Sequence, residues 1–297
     1  MKTTPQWKGR SHGGKVGQKS LFYFFRFVNI YWGYGILIFV VPFYMVFSHK
    51  GFVSTWYYFR KIQGYGFLKS FWKTYLNHFI FGQTFIDKFV LFAGKKNLFK
   101  TSISGQEIFD GIINSNKGAI IASCHIGNFE ISGYLLHQNQ KRINAIISGA
   151  ENPVIQQYRD KILSEHNVFP IQISDDMSHI FAINTLLSKG EILSMPCDRV
   201  FTGNKTATLD FIGHKAVFPT GAFHLAVKFE VPVITLFVLK QSSKHYNIII
   251  NRIDRFPEEN LSPADKINIL AQNYVEEIEK ILKVYPEQWF NFYKFWN

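Results

Sequence analysis

The rhythm of hydrophobic and polar positions changes twice along the chain. From Phe27 to Phe47 the run FVNIYWGYGILIFVVPFYMVF carries no charge, a length comparable to the roughly 20 residues that cross a bilayer as a helix. Arg26, Asn29 and Pro42 lower its hydrophobicity, and bases flank it on both sides. The pattern predicts a membrane anchor, either a single span or a helix lying in the interface, with a buried core helix as the competing reading. Phe47-Ser48-His49-Lys50 is a poor cleavage site, which argues against a signal peptide. Residues 51–100 continue as an aromatic, basic, helical stretch, with Trp56, Tyr57, Phe59, Phe67, Phe71, Trp72 and Tyr75 recurring on shared faces.

Beyond residue 100 the rhythm becomes short apolar runs alternating with amphipathic stretches. Strands are expected at Gly118 to Ser123, Ile143 to Ser148, Val168 to Ile173, Glu191 to Met195, Val233 to Leu239 and Tyr246 to Ile253. Helices are expected near 153–166, 176–188, 220–230 and 263–283, and a hairpin at Leu209 to Phe218, centred on Gly213 and His214. Strands separated by helices predict an α/β fold: a mostly parallel central sheet flanked by helices, preceded by an N-terminal hydrophobic, basic, membrane-associating helical segment. The expected division is an anchoring segment over 1–50 and a second domain over 51–297. Within that domain, 51–100 is the helical, membrane-facing part and 101–297 the α/β part.

Charge sharpens the membrane reading. The net charge of +12 is concentrated in one segment, because eleven bases precede the first acid, Asp87, and the remainder holds 22 bases against 21 acids. These bases are interleaved with Phe, Tyr and Trp, so anionic lipid headgroups fit better than nucleic acid. With 47% hydrophobic and 18% charged residues, a disordered chain is excluded. Two cysteines, Cys124 and Cys197, are too few for a disulfide framework, and a reduced cytosolic face is the economical compartment.

The strongest chemical signal is Ile120-Ile121-Ala122-Ser123-Cys124-His125-Ile126-Gly127-Asn128-Phe129-Glu130. His125 falls at the carboxyl end of a buried strand, Gly127-Asn128 supply a turn, and Glu130 stands on the first turn of a helix expected from Phe129. A carboxylate there can accept from one imidazole nitrogen and leave the other to take a proton from a substrate hydroxyl. Competing motifs fail on context. Gly9-Arg10-Ser11-His12-Gly13 lacks the buried strand that a nucleophile elbow needs, and no metal-ligand spacing accompanies His125, Glu130 and Asp198. Cys124 and Cys197 adjoin His125 and Asp198, and strand alternation turns their thiols into the packing.

His125-Ile126-Gly127-Asn128-Phe129-Glu130 resembles the His-x4-Asp/Glu motif of the glycerolipid and lysophospholipid acyltransferase superfamily, in its lipid A biosynthesis (late) acyltransferase branch. Further blocks in the same order carry the likeness. They are Glu151-Asn152-Pro153 with Arg159, Met195-Pro196-Cys197-Asp198-Arg199, Phe211-Ile212-Gly213-His214-Lys215-Ala216 with Pro219-Thr220-Gly221, Val231-Pro232-Val233-Ile234, and Tyr285-Pro286-Glu287-Gln288-Trp289. The family often has Asp-Gln or Asp-His where Asp198-Arg199 stands, and basic residues where the tail Asn291-Phe292-Tyr293-Lys294-Phe295-Trp296 is aromatic.

The resemblance implies transfer of a fatty acyl chain from acyl carrier protein or a coenzyme A thioester to a hydroxyl of a lipid acceptor, a lipid A precursor or related amphiphile. His125 and Glu130 would be the catalytic pair. Gly127, Asn128, Asn152, Arg159, Asp198 and Arg199 would bind substrate, the Gly127–Asn128 amides or an arginine stabilising the oxyanion, with Asp198 holding Arg199 or the acceptor. No cofactor or metal is implied. The expected location is the bacterial inner (cytoplasmic) membrane, with the catalytic part facing the cytosol. A hydrolase using the same pair on water, or a non-enzymatic membrane assembly protein, are the alternatives.

Overall fold

The computed structural model describes residues 27–47, 49–136, 140–147, 160, 163–173, 178–201, 203–258 and 260–296. Nine strands are seen among them: β1 (Lys100–Ser104), β2 (Ala119–Ser123), β3 (Ile143–Ile147), β4 (Val168–Gln172), β5 (Ile192–Pro196), β6 (Thr206–Phe211), β7 (His214–Pro219), β8 (Val233–Ser242) and β9 (His245–Arg252). Seven build one sheet in the order β1-β9-β8-β2-β5-β3-β4, and β6–β7 form the separate hairpin. All neighbours in the sheet pair in parallel except β8 with β9.

The central strands read as continuous apolar runs because both sheet faces are covered. Ile120 and Ala122 of β2, with Val233, Phe237 and Leu239 of β8, point into one core. Their chain neighbours Ala119, Ile121, Ile234, Leu236 and Val238 point into the other. The first core is closed by α5 (Ser178–Ser188), α6 (Gly221–Phe229) and α7 (Pro263–Val284). On α7, Leu270, Tyr274, Ile278 and Ile281 follow the helical repeat, and Ser262 caps the helix start by accepting the Asp265 N–H. The second core is closed by α1 (Ile30–Phe47), α3 (Phe67–Phe92) and α4 (Gln106–Ile113). Between α1 and α3 lie α2 (His49–Tyr57) and a π-helical turn at Tyr58–Ile62.

The expected strands, the hairpin and three of the four expected helices appear in place. The helix expected near 153–166 falls mostly outside the described residues. β1 escaped the pattern because Lys-Thr-Ser-Ile-Ser at a sheet edge is largely exposed and has no apolar run. The helix expected from Phe129 starts instead as a 3-10 turn, Phe129–Ile131, followed by one helical turn, Ser132–Leu135. That change alters the position of Glu130.

Candidate active site

Strand register places the site. β2 and β5 are parallel neighbours with Ser123 opposite Pro196, and the Cys197 N–H donates to the Ser123 carbonyl at 2.8 Å. Two residues beyond each strand end, His125 and Asp198 arrive side by side at the carboxyl edge of the sheet, where α/β folds collect their chemistry. The Asp198 carboxylate grips His125 twice. Its Oδ2 accepts the His125 backbone N–H at 2.9 Å, and its Oδ1 lies 2.8 Å from Nδ1. Burial works to raise the Asp198 pKa, but the adjacent imidazole and its hydrogen bonds, helped by Arg199, outweigh burial and hold it at about 2. An ionised carboxylate can only accept, so Nδ1 is the nitrogen that carries a proton towards it, and in the neutral ring Nε2 is the nitrogen with the lone pair. Among the described residues none hydrogen-bonds Nε2, and the His125 side chain is one-fifth exposed while Asp198 is buried.

Asp198, and not Glu130, therefore orients the imidazole. The 3-10 turn carries the Glu130 carboxylate to Lys88 of α3, with which it forms an ion pair, and it remains half exposed. Asp198 was expected to hold Arg199 or an acceptor; it holds His125. Arg199 donates to the Phe290 carbonyl at 3.2 Å, and its guanidinium lies 5.8 Å from the centre of the Tyr293 ring. Asn152 and Arg159 lie outside the described residues.

The turn after His125 faces the protein. Gly127 has φ 66°, and a Cβ there would come within 2.1 Å of the Val238 carbonyl oxygen, so only glycine fits. Its N–H donates to the Gln288 carbonyl at 2.8 Å, and the Asn128 N–H donates to Val238 at 2.7 Å. Both amides expected to receive an oxyanion are thus already bonded internally. The Asn128 side chain is buried, and its amide lies 3.2 Å from both the Thr84 carbonyl and the Tyr246 hydroxyl.

Two supporting groups were not anticipated as parts of the site. The carboxy-terminal segment runs beside the histidine: the Phe290 N–H donates to the His125 carbonyl, Ile126 bridges Trp289, and the Tyr293 hydroxyl donates to the Asp198 carbonyl at 3.3 Å. Gln288 is buried and clamps one peptide of β8, accepting from the Lys240 N–H at 2.9 Å and donating to the Lys240 carbonyl at 2.8 Å. The Tyr285-Pro286-Glu287-Gln288-Trp289 block was the available signal for it. The second group is a buried ion pair between Asp87 of α3 and Lys240, joined by the hydroxyls of Tyr34 and Tyr246. Periodicity could not reveal it, because its hydrogen-bonded partners are up to 206 residues apart.

Cys124 and Cys197 are free and buried, and burial foremost pushes both thiols far above the ordinary range. Neither is available as a thiolate nucleophile. No group of three or more His, Cys, Asp or Glu suited to a metal occurs among the described residues.

A histidine bonded through Nδ1 to a buried carboxylate, at the carboxyl edge of a largely parallel sheet, is an arrangement that can take a proton from a substrate. The particular family follows from comparison: the chain belongs to the bacterial lipid A biosynthesis acyltransferases, whose family model matches residues 80–297. Membership implies acyltransferase activity on a lipid and a membrane-associated setting, consistent with α1, the one described helix long and apolar enough to cross a membrane. No curated relative matches the chain.

Proposed function

We propose that the protein transfers a fatty acyl chain from a thioester donor, acyl carrier protein or coenzyme A, to a hydroxyl of a lipid A precursor or related amphiphile. The observation that carries this reading is the His125–Asp198 pair, supported by the family match. His125 Nε2 takes the acceptor hydroxyl proton as the oxygen attacks the thioester carbonyl. The tetrahedral intermediate collapses with cleavage of the C–S bond, and the imidazolium returns its proton to the departing thiolate, giving an ester and a free thiol. Asp198 keeps the proton on Nδ1 and stabilises the transient imidazolium, as a buried carboxylate does for other histidine bases. No acyl-enzyme is required.

Glu130, half exposed beside the histidine turn and paired with Lys88, is assigned to substrate handling at the mouth of the site. Arg159 and Arg199, with Asn152, are assigned to the anionic parts of donor and acceptor, for which an arginine fork is well suited. Gly127 and Asn128 form the wall that holds His125 in place. The catalytic body is assigned to the cytosolic face of the inner membrane.

Mass spectrometry of lipid extracts from cells with and without the gene tests this. The expected result is a lipid lacking one ester-linked acyl chain when the gene is absent, restored by the wild-type chain and not by His125→Ala. Unchanged lipids would overturn the reading. Fatty acid release by the purified protein, unaffected by acceptor lipid, would favour a hydrolase.

A further inference from the structure

The way α1 is held bears on how the protein attaches to a membrane. Three contacts set its direction against α3. The Tyr34 hydroxyl bonds Asp87, Leu37 lies over Gly82, where an added Cβ would come within 2.8 Å, and the Tyr44 ring is 6.2 Å from His78. As numbers rise along α1 they fall along α3, so the two helices run antiparallel and side by side.

The same stretch of α3 is bonded to the catalytic body. Lys73 pairs with Glu287 at 2.9 Å, and Asn77 donates to the Glu287 and Trp289 carbonyls at 2.9 and 2.8 Å. Thr84 accepts from Asn128, Asp87 pairs with Lys240, and Lys88 pairs with Glu130. From residue 73 to 88 this is about 22 Å of helix at 1.5 Å per residue. A crossing helix needs about 30 Å of hydrocarbon along its length. Here one long side of α1 is occupied by α3, which is itself hydrogen-bonded to the catalytic body, and the buried ion pair reaches Tyr34 of α1.

The opposite side is apolar and open. Trp32, Phe39, Phe43, Val46 and Phe47 are exposed on α1, and the surface continues onto the first turns of α3 at Phe67, Leu68, Phe71 and Trp72. Exposed Lys50 lies on α2, Arg60 and Lys61 on the π-helical turn that follows it, and Lys69 on the first turn of α3. From residue 27 to 92 the chain holds a single acid, Asp87, which is buried, so every charge offered by this surface is positive. An apolar face accompanied only by positive charge complements an anionic phospholipid leaflet. A second copy of the chain would bring the same positive charges against it.

We infer that the protein is monotopic: α1 lies in the membrane plane, its outer face sunk into one leaflet, with both ends on the same side as the catalytic body. This deepens the membrane side of the proposed function. Its test reads topology without turnover, so failure of the acyl-transfer reading and failure of this one are separable.

Thr3→Cys, ahead of α1, and Asn204→Cys, exposed on the catalytic body, are each introduced into the full-length chain; both native cysteines are buried, and the parent chain supplies the background. A membrane-impermeant maleimide is applied to spheroplasts and to inverted inner-membrane vesicles. The inference predicts that both sites react from the same side, in inverted vesicles and not in spheroplasts. Reaction from opposite sides would show a spanning helix and overturn it.

As a second measurement, Phe39→Glu with Phe43→Glu should lower partition into vesicles of zwitterionic and anionic phospholipid by at least about tenfold, since two aromatic side chains leave the hydrocarbon. A wild-type chain that forms dimers and does not bind such vesicles would assign the face to a second copy and equally overturn the inference.

Discussion

Replacing Asp198 with Asn leaves the shape of the site nearly unchanged and alters what His125 can do. In the wild type both carboxylate oxygens accept from one residue, at 2.9 Å from the backbone N–H and 2.8 Å from Nδ1. Asparagine has one acceptor oxygen and one amide donor. If the oxygen keeps the backbone N–H, the NH2 faces Nδ1. The ring must then shift its proton to Nε2, where the lone pair for the acceptor hydroxyl is lost. A general base is worth about 10²–10⁴ in rate, and the wrong tautomer in a serine protease triad costs about 10⁴. Asp198→Asn is therefore expected to lower kcat by about 10²–10⁴, or roughly 3–5 kcal/mol at 1.36 kcal/mol per decade, with little change in KM. The assay is acyl transfer from a labelled thioester to acceptor lipid in mixed micelles, alongside far-UV circular dichroism to establish folding. Glu130→Gln, which leaves the tautomer alone, is expected to act more on KM than on kcat. Near wild-type turnover by folded Asp198→Asn, with Glu130→Gln inactive, would refute the argument and return the orienting role to Glu130.

Asp198 also sets an acid limit: its folded pKa of about 2 lies below an unfolded value of about 3.9, so its stabilisation is present above pH ~4 and lost as pH falls towards 2. Denaturant titrations should show this loss in the wild type and a flatter dependence in Asp198→Asn. Gln288→Leu leaves the Lys240 N–H and carbonyl without their side-chain partner and should cost about 1–3 kcal/mol for each unsatisfied group, with kcat falling through the neighbouring Gly127 turn. Unchanged stability would remove Gln288 from that role. Asp87→Ala strands a buried ammonium and should destabilise by about 3–5 kcal/mol, whereas Asp87→Leu with Lys240→Met should cost less than the single change. Urea midpoints of both variants decide this. Cys124→Ser and Cys197→Ser should each retain substantial acyl transfer, and loss of turnover in a stably folded Ser variant would reopen thiol chemistry.

The strands and the histidine were legible in the sequence for one reason: buried parallel strands are short continuous apolar runs, and a polar residue just beyond one stands at the reactive edge of the sheet. Ile120 to His125 shows both features within six residues. The partner of His125 was not legible, because it depends on which strands are neighbours. Asp198 is 73 residues away and meets His125 only through the parallel register of β2 and β5. Glu130, five residues on, was the local candidate, and a 3-10 turn in place of an α-helix was enough to carry it to Lys88. Whether the Gly127 and Asn128 N–H groups face substrate or protein depends on β8 and Gln288, which local sequence does not encode. Likewise, the apolar run of α1 was plain, while its docking along α3 rests on Tyr34 meeting a distant buried pair.

In the proposed reaction His125, held by Asp198, moves a proton from a lipid hydroxyl during acyl transfer. Single-turnover acyl transfer by purified wild-type and His125→Ala proteins, with acyl carrier protein and coenzyme A thioesters in parallel and product mass recorded, measures this step. The expected results are an acceptor lipid heavier by one ester-linked acyl chain with the wild type and a loss of about 10²–10⁴ in rate with His125→Ala. Equal turnover by folded His125→Ala would contradict it.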